Sequence, residues 1–463
     1  MHEFHDYPEQ STAGPMSRPV SRAAGADGRM SRVLRSFQVT NHRALAETQE
    51  LRLVGSRAGA LPAPVTAVHG AAATGKSSLV DALAHMRDAV LNSVTGWDPY
   101  AGPVRAPHLG FADRPSEFVA TFVAEGVPYT YGFRLDNADV TAEWLHSHPR
   151  SRRRVVFERD GDGIRIGPMF EPVRYGIGAL APLVRPNALL LSLTGQMYAE
   201  ALVPAYRWFA AQLDVQRGQQ DSQTIAQRLG GHVSRSADNA ARLLTLLRSA
   251  ELGIEDLLIA ENDPMYADYL AELDGEIAGA AAELDACIAS PARAEQLRQT
   301  HGLTPVGLER ELSNLRAARD TLYSRMAARR GAGLGLVHEG VDAPFDIADE
   351  SSATLALLRL LPPVLDALDT GRVLAVDDID SHLTADMAGR LIQLFRNPET
   401  NSRGAQLIFT TRDCTLVHPT GPIGNDASRE QREEHRTTGS RIRRNTVWQL
   451  HRTPTGTSEL TAH

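Results

Sequence analysis

The sequence predicts an α/β fold assembled around one glycine-bounded loop, and three observations predict it. Val65–Leu83 reads V-T-A-V-H-G-A-A-A-T-G-K-S-S-L-V-D-A-L: a β-branched strand, a loop bounded by glycines, then an apolar-periodic helix. Val373–Asp378 reads V-L-A-V-D-D, a buried parallel strand ending in two carboxylates. Residues 118–124, 129–135 and 155–159 alternate or carry β-branched and aromatic side chains, so an antiparallel patch accompanies the parallel core.

Taken in order, residues 1–31 are rich in Pro, Ser, Gly, Ala and Arg without periodicity, which predicts disorder, and Met16 or Met30 can serve as the start. V-L-R-S-F-Q-V-T-N from Val33 and L-R-L-V at 51–54 predict strands ahead of the one that enters the loop. Gly126-Val127-Pro128 and the stretch from Arg159 to Gly163 supply turns between the antiparallel strands. Residues 179–260 read mostly helical, with an apolar run at 189–193 and helical spacing at 206–213 and 240–247. Tyr266, Leu270, Leu273, Ile277, Ala280, Leu284 and Cys287 follow 4-3-4-3-4-3 spacing. After Thr304-Pro305, a helix-start signal, Leu308, Leu312, Leu315, Leu322 and Met326 continue a similar seam. An antiparallel helical hairpin follows, either a protruding short coiled coil or a subdomain packed on the body.

Residues 345–463 return to α/β. Helices are predicted at 355–368 and 387–395 and a strand at 406–411. A polar mobile loop is predicted at 421–444, and a terminal hairpin from 447–450 and 458–460. The predicted organisation is a disordered segment 1–31, a first α/β half 32–178 with the antiparallel lobe, a helical lobe 179–260, an inserted hairpin 261–335 and a second α/β half 336–463.

The loop is a G-x-x-x-x-G-K-S phosphate loop in its required context, strand before and helix after. Its glycines let backbone N–H groups turn toward a phosphate. The helix N-terminus adds a positive dipole end. Lys76 would reach the β- and γ-phosphates, and the Ser77 hydroxyl would ligate Mg²⁺. Lys76 is the sole lysine of the chain, so of the 48 Lys+Arg the other 48 − 1 = 47 are arginine. The one lysine stands where a compact ammonium suits better than a planar guanidinium. A glycine-rich turn ahead of a core helix is the alternative. In V-L-A-V-D-D, Asp377 would organise Mg²⁺ at the carboxyl end of its strand, where open α/β sheets place ligands. Asp378 holds the position of a base that polarises the attacking water. Two acids capping the following helix is the alternative there.

Composition sets bounds. The chain has 463 residues with 42% hydrophobic content, enough for a sizeable core. A net charge of −8 and a pI of about 6.1 disfavour a nucleic-acid binder that uses its whole surface. Cys287 and Cys414 have no metal-like spacing and suit a reducing compartment. With no apolar stretch long enough for a membrane span and no signal-peptide core, a cytoplasmic protein without membrane partners is expected.

These motifs resemble the ABC-type ATPase family related to the heads of SMC and recombination ATPases. Within it they resemble the stand-alone AAA/OLD-like bacterial ATPases of anti-phage and abortive-infection systems. The resemblance runs from about Val33 to Leu460. Besides the two motifs above, its carriers are V-L-R-S-F-Q-V-T-N-H-R, R-P-N-A-L-L-L-S-L at 185–193, L-G-I-E-D-L at 252–257, D-E-S-S-A-T-L-A-L-L at 349–358 and Q-L-I-F-T-T-R-D at 406–413. It implies a P-loop NTPase of ABC-ATPase-head type, with an antiparallel β lobe and an inserted helical lobe or hairpin. It implies ATP and Mg²⁺ as cofactors. Two heads would pair head-to-tail, ATP being sandwiched between the phosphate loop of one and the signature helix of the other. Carried over, the ATP-binding residues are Gly70, Ala71, Ala72, Ala73, Thr74, Gly75, Lys76, Ser77 and Ser78, with Ser351 as signature serine and Thr354 at the start of its helix. Ser77 and Asp377 are the metal ligands, Asp378 and Arg412 the catalytic positions, and Asp380 the dimer-contact aspartate.

The chain departs from the pattern in places. Ala353 replaces the signature glycine, Asp378 the usual glutamate, and Arg412 the histidine of a Thr-Thr-His-Asp turn. Leu383 is followed by Thr384 where a Leu-His-Pro turn would carry another histidine, although His382 lies nearby. No acidic toprim-type cluster follows residue 413, so any nuclease would be a separate protein. Three functions stay open. One is an ATPase that oligomerises with ATP and controls a separate effector such as a nuclease or toxin. The second is an ATP-binding switch without useful turnover. The third is a DNA-repair or DNA-tethering ATPase, for which the basic runs Arg150–Arg154 and Arg441–Arg444 would have to bind DNA.

Overall fold

The computed structural model describes residues 32–54, 62–161, 163–168, 177–197, 199–218, 220–233, 235–259, 264–329, 334–341, 343–417, 446–453 and 457–462. The predicted disordered segment, the 421–444 loop and Arg441–Arg444 lie outside them.

In chain order the strands begin with β1 (Leu34–Thr40), β2 (Gln49–Arg52) and β3 (Val65–His69), followed by helix α1 (Lys76–Gly96). Five strands come next: β4 (Ser116–Ala124), β5 (Val127–Leu135), β6 (Val140–Ser147), β7 (Arg154–Asp160) and β8 (Gly163–Ile166). After several short helical turns come β9 (Leu213–Gln216), α2 (Ser222–Val233), α3 (Ala237–Ser249) and β10 (Ile254–Ile259). The inserted helices are α4 (Pro264–Ala289), α5 (Pro291–His301) and α6 (Pro305–Arg329). The chain then runs through β11 (Leu334–His338), β12 (Phe345–Asp346), α7 (Ser352–Thr370), β13 (Val373–Val376), α8 (Ala385–Arg396), β14 (Gln406–Thr411), β15 (Thr446–Arg452) and β16 (Ser458–Ala462).

Two large sheets sandwich α1. The antiparallel sheet has the order β2-β1-β4-β5-β6-β7-β8. The other has the order β16-β15-β3-β14-β13-β9, parallel from β15 to β9. Side chains alternate along a strand, so the parallel strands feed two cores. Val68, Ile408, Val373 and Ala375 pack with α1 and the antiparallel sheet. Val65, Ala67, Leu374, Val376, Leu407 and Phe409 pack under α7 and α8. Buried on both faces, these strands read as continuous apolar runs. Gln406, at the start of β14, joins the sheets: its side chain accepts from Leu34 N at 2.8 Å and donates to Leu34 O at 3.0 Å.

Residues 179–260 are mostly helical, as expected, but two unanticipated strands lie among the helices. These are β9 on the parallel sheet and β10, which pairs with β11. L-D-V-Q alternates apolar and polar, but four residues directly after a helical run are too few to mark a strand by themselves; pairing with β13 fixes it as one. The predicted 51–54 strand begins earlier, at Gln49, and β6 and β8 complete the antiparallel sheet.

The inserted segment folds as an antiparallel pair of long helices, with Leu273, Ile277 and Leu312 in one cluster and Cys287, Leu297 and Leu308 in another. The connection is itself a helix, α5. Pro291 opens it, where a missing N–H costs nothing, and left-handed Gly302 (φ +68°) closes it. Thr304 Oγ1 then accepts from Gly307 N at 3.1 Å, starting α6. Helix α6 lies against α2, so the pair packs on the body. The side chains of Tyr266 and Met326 lie outside the described residues.

Candidate functional site

Strand β3 ends at His69, and the chain turns through Gly70–Gly75 into α1. Gly70 has no room for a side chain: a Cβ would stand 2.3 Å from Leu450 O on β15 and 2.8 Å from Thr74 Oγ1. Gly75 takes φ +99°, and Ala73 is also left-handed at φ +60°. Gly75 is the N-cap of α1 and makes no side-chain cap. The first N–H groups of a long helix are therefore left to whatever occupies the loop. Thr74 Oγ1 donates to Ala71 O at 2.9 Å, holding the turn. Lys76 is buried, and its Nζ donates to Gly70 O and Ala71 O, each at 2.7 Å. Burial lowers the Lys76 pKa, against the pull of Asp378, Asp377 and Asp380. Ser77 is exposed at the mouth of a cleft. Ser78, expected beside it, is buried with its Oγ accepting from Ala44 N at 3.4 Å, so only its backbone can meet a ligand.

The second half of the site follows β13. Asp377 N donates to Gln216 O at 2.9 Å, and its Oδ1 accepts from Thr410 Oγ1 at 2.7 Å. Asp378 N donates to the same hydroxyl at 2.7 Å. That grip holds Asp378 at φ +46°, a left-handed conformation that Asp tolerates better than longer side chains do. Burial, and then the like charge of Asp377, raise the Asp378 pKa, while Arg412 and Lys76 oppose the rise. Arg412 Nη2 lies 3.5 Å from Asp378 Oδ2, and Arg412 N donates to Asp380 Oδ2 at 3.3 Å. The expected base is thus ion-paired to the residue standing where a histidine was expected.

Four neighbouring parallel strands deliver these groups at their carboxyl ends: the glycine loop from β3, Arg412 from β14, Asp377–Asp378 from β13 and Gln216–Arg217 from β9. The last pair escaped sequence reading, because β9 itself did. Gln216 is buried, and its Oε1 accepts from Arg228 Nη1 at 2.9 Å. A cleft of about 410 Å³ is lined by Ser77, Asp377, Gln216, Arg43, Arg217, Arg228 and Asp81, among others. A second, of about 300 Å³, joins Asp377 and Asp378 to Ser352, Arg359, Ser381 and His382. Arg359 on α7 is buried and donates to Gly218 O in the loop after β9. Ser77 and Asp377 bring a hydroxyl and a carboxylate to one cleft, hard oxygen donors that fit Mg²⁺ completed by water and phosphate. Among the described residues no group of three or more His, Cys, Asp or Glu forms a metal cluster of its own.

Ser351 is the exposed N-cap of α7, its Oγ accepting from Thr354 N at 3.1 Å. Thr354 lies differently from expectation. It is 3% exposed, its hydroxyl 2.9 Å from Ser351 Oγ, so it braces the cap from inside and does not face a ligand. Ala353 is half-buried between them.

A family model described as "AAA domain, putative AbiEii toxin, Type IV TA system" matches residues 65–417, most of the chain. Among solved structures, a crystal structure of the SMC head bound to the C-winged helix domain of ScpA aligns at 10% identity, covering 93% of this chain and 97% of that one, with a TM-score of 0.43. A structure of the recombination mediator RecF with ATP aligns at 13% identity, covering 94% and 99%, with a TM-score of 0.34. Among curated proteins nothing matches. Among the described residues no helix is long and apolar enough to cross a membrane.

Proposed function

We propose that this chain, which belongs to the AAA-domain family matched above, binds ATP with Mg²⁺ at the carboxyl ends of its parallel strands and hydrolyses it slowly. Two copies pair head-to-tail across the nucleotide, and the pairing controls a separate effector in anti-phage defence. The observation that carries the reading is the convergence of the glycine loop, Asp377–Asp378 and Arg412 from adjacent parallel strands, close enough for Lys76 to feel all three aspartates.

The backbone N–H groups from Gly70 to Ser78 and the α1 N-terminus hold the phosphates, and Lys76 leaves the loop carbonyls to neutralise them. Ser77 and Asp377 would hold Mg²⁺, which would supply positive charge to the phosphates. Asp378, with a raised pKa, accepts a hydrogen bond from the attacking water and orients it. Ser351, exposed on the capped N-terminus of α7, meets the terminal phosphate bound by the partner copy. The Arg412–Asp378 ion pair favours a second reading, an ATP-binding switch with little turnover, because a guanidinium can donate but cannot accept from water.

Light scattering with and without MgATP, alongside phosphate release, tests the reading. A dimer that forms with ATP and dissolves on a timescale of many seconds supports the slow ATPase. A lasting ATP dimer without phosphate release supports the switch. The same oligomer with and without ATP removes the pairing from either account.

A further inference from the structure

Asp81 stands one helical turn beyond Ser77 on α1, so the two side chains share a face. Both line the cleft that also holds Asp377 and Gln216. The Asp81 carboxylate is 10% exposed and gathers three donors: His42 Nε2 at 2.8 Å, Arg43 Nε at 2.6 Å and Arg217 Nη1. They come from the turn after β1 and from the loop after β9. Burial alone would raise the Asp81 pKa, but the His42 hydrogen bond and the nearby cations outweigh it and hold the carboxylate ionised.

Two guanidiniums on one carboxylate exceed what fixing that carboxylate requires, since buried His42 already bonds it. Each arginine commits one edge to Asp81 and keeps its other donors. The side chains are 55% and 47% exposed, and both line the cleft. Among the described residues that cleft carries Arg43, Arg217 and Arg228 against the carboxylates of Asp81 and Asp377. Arg228 is already engaged with Gln216.

We propose that Arg43 and Arg217, posed by Asp81, clamp the terminal phosphate of a nucleoside triphosphate and so let the cleft distinguish triphosphate from diphosphate. The clamp rests on the ATP-binding reading above. The loop amides and Lys76 grip phosphates that both nucleotides share. Arg43 and Arg217 line the same cleft as Ser77 and Asp377, the pair that would hold the Mg²⁺ of a bound triphosphate, so they share the cleft to which that metal would draw the terminal phosphates. Paired planar guanidiniums suit a phosphate's oxygens in a way that a point charge does not. Asp81 touches no nucleotide; it is a positioning residue.

Calorimetric titration of MgATP and MgADP into the full chain and into Arg43→Ala, Arg217→Ala and Asp81→Asn tests this, with thermal midpoints recorded for each. Both arginine variants should weaken MgATP by about tenfold or more and MgADP by less than about threefold, at unchanged midpoints. Asp81→Asn should lower the ATP-to-ADP affinity ratio in the same direction, and Arg217→Lys should restore it only in part. Equal losses for both nucleotides in the arginine variants, or no loss in either, would overturn the clamp and leave the ATP-binding reading standing. A wild-type chain that binds neither nucleotide would overturn that reading, and the clamp with it.

Discussion

Replacing Asp378 by Glu and Arg412 by His together raises steady-state turnover at least tenfold. The Asp378 carboxylate hangs from a backbone pinned to Thr410 at 2.7 Å and faces Arg412 at 3.5 Å. Glutamate carries the carboxylate forward by one C–C bond, roughly 1.5 Å. A displacement of about 1 Å at a catalytic group is worth roughly a hundredfold in rate, so tenfold, about 1.4 kcal/mol of barrier, is a modest expectation. Removing Arg412 also removes a cation that lowers the Asp378 pKa, which makes the base stronger. The ion pair is exposed on the arginine side, at 64%, so its loss costs at most about 1 kcal/mol of stability. Glutamate at the left-handed position costs about 1 kcal/mol more, so the faster enzyme should melt a little earlier. The assay is phosphate release at saturating ATP and Mg²⁺ for both proteins, with thermal midpoints beside it. A double variant no faster than wild type refutes the reasoning. So does a wild-type rate already above about one per second, within the ordinary enzyme range.

Gly70→Ala should abolish nucleotide binding and destabilise the fold by about 1–3 kcal/mol, read by denaturant unfolding, because the new methyl meets the backbone carbonyl of Leu450 and not a side chain that could swing away. Ser351→Asp should leave stability within about 0.5 kcal/mol, since Asp caps a helix as well as Ser, yet abolish ATP-driven association by setting a carboxylate against the partner's phosphate. Light scattering and thermal melting separate the two effects, and association that survives in this variant would show that Ser351 does not face the partner's nucleotide.

The legible parts of the site are those where one short stretch must do all the work. The glycine loop needs its glycines, lysine and serine within eight residues, and V-L-A-V-D-D carries both its burial and its carboxylates locally. Groups assembled by long-range pairing were invisible. Arg217 reaches Asp81 across 136 residues of chain, and Arg359 reaches Gly218 across 141. Gln216 enters the site only because β9 pairs with β13. N-H-R at 41–43 stood out as a motif, but nothing in it tells that Asn41 ties down Phe111 and Arg114, His42 the helix acid, and that Arg43 lines the cleft. Thr354 and Ser78 show the converse. Sequence position put them at the nucleotide, while the side-chain directions of their helices turned both inward. The hairpin seam was legible because a regular apolar spacing names its own partner face; the α5 connection lies between the two seams and carries no such spacing, although Ser290-Pro291 is a helix start of the same kind as Thr304-Pro305.

Calorimetric titration of MgATP into the wild-type chain and Lys76→Ala tests the central claim most directly. Lys76 is the sole lysine, buried, and among the described residues its Nζ bonds the loop carbonyls Gly70 O and Ala71 O, so its removal leaves the packing around α1 in place. The account predicts saturable MgATP binding to the wild type, none to the variant at the same concentrations, and thermal midpoints within a few degrees of each other. Equal MgATP affinity in the two proteins would contradict it.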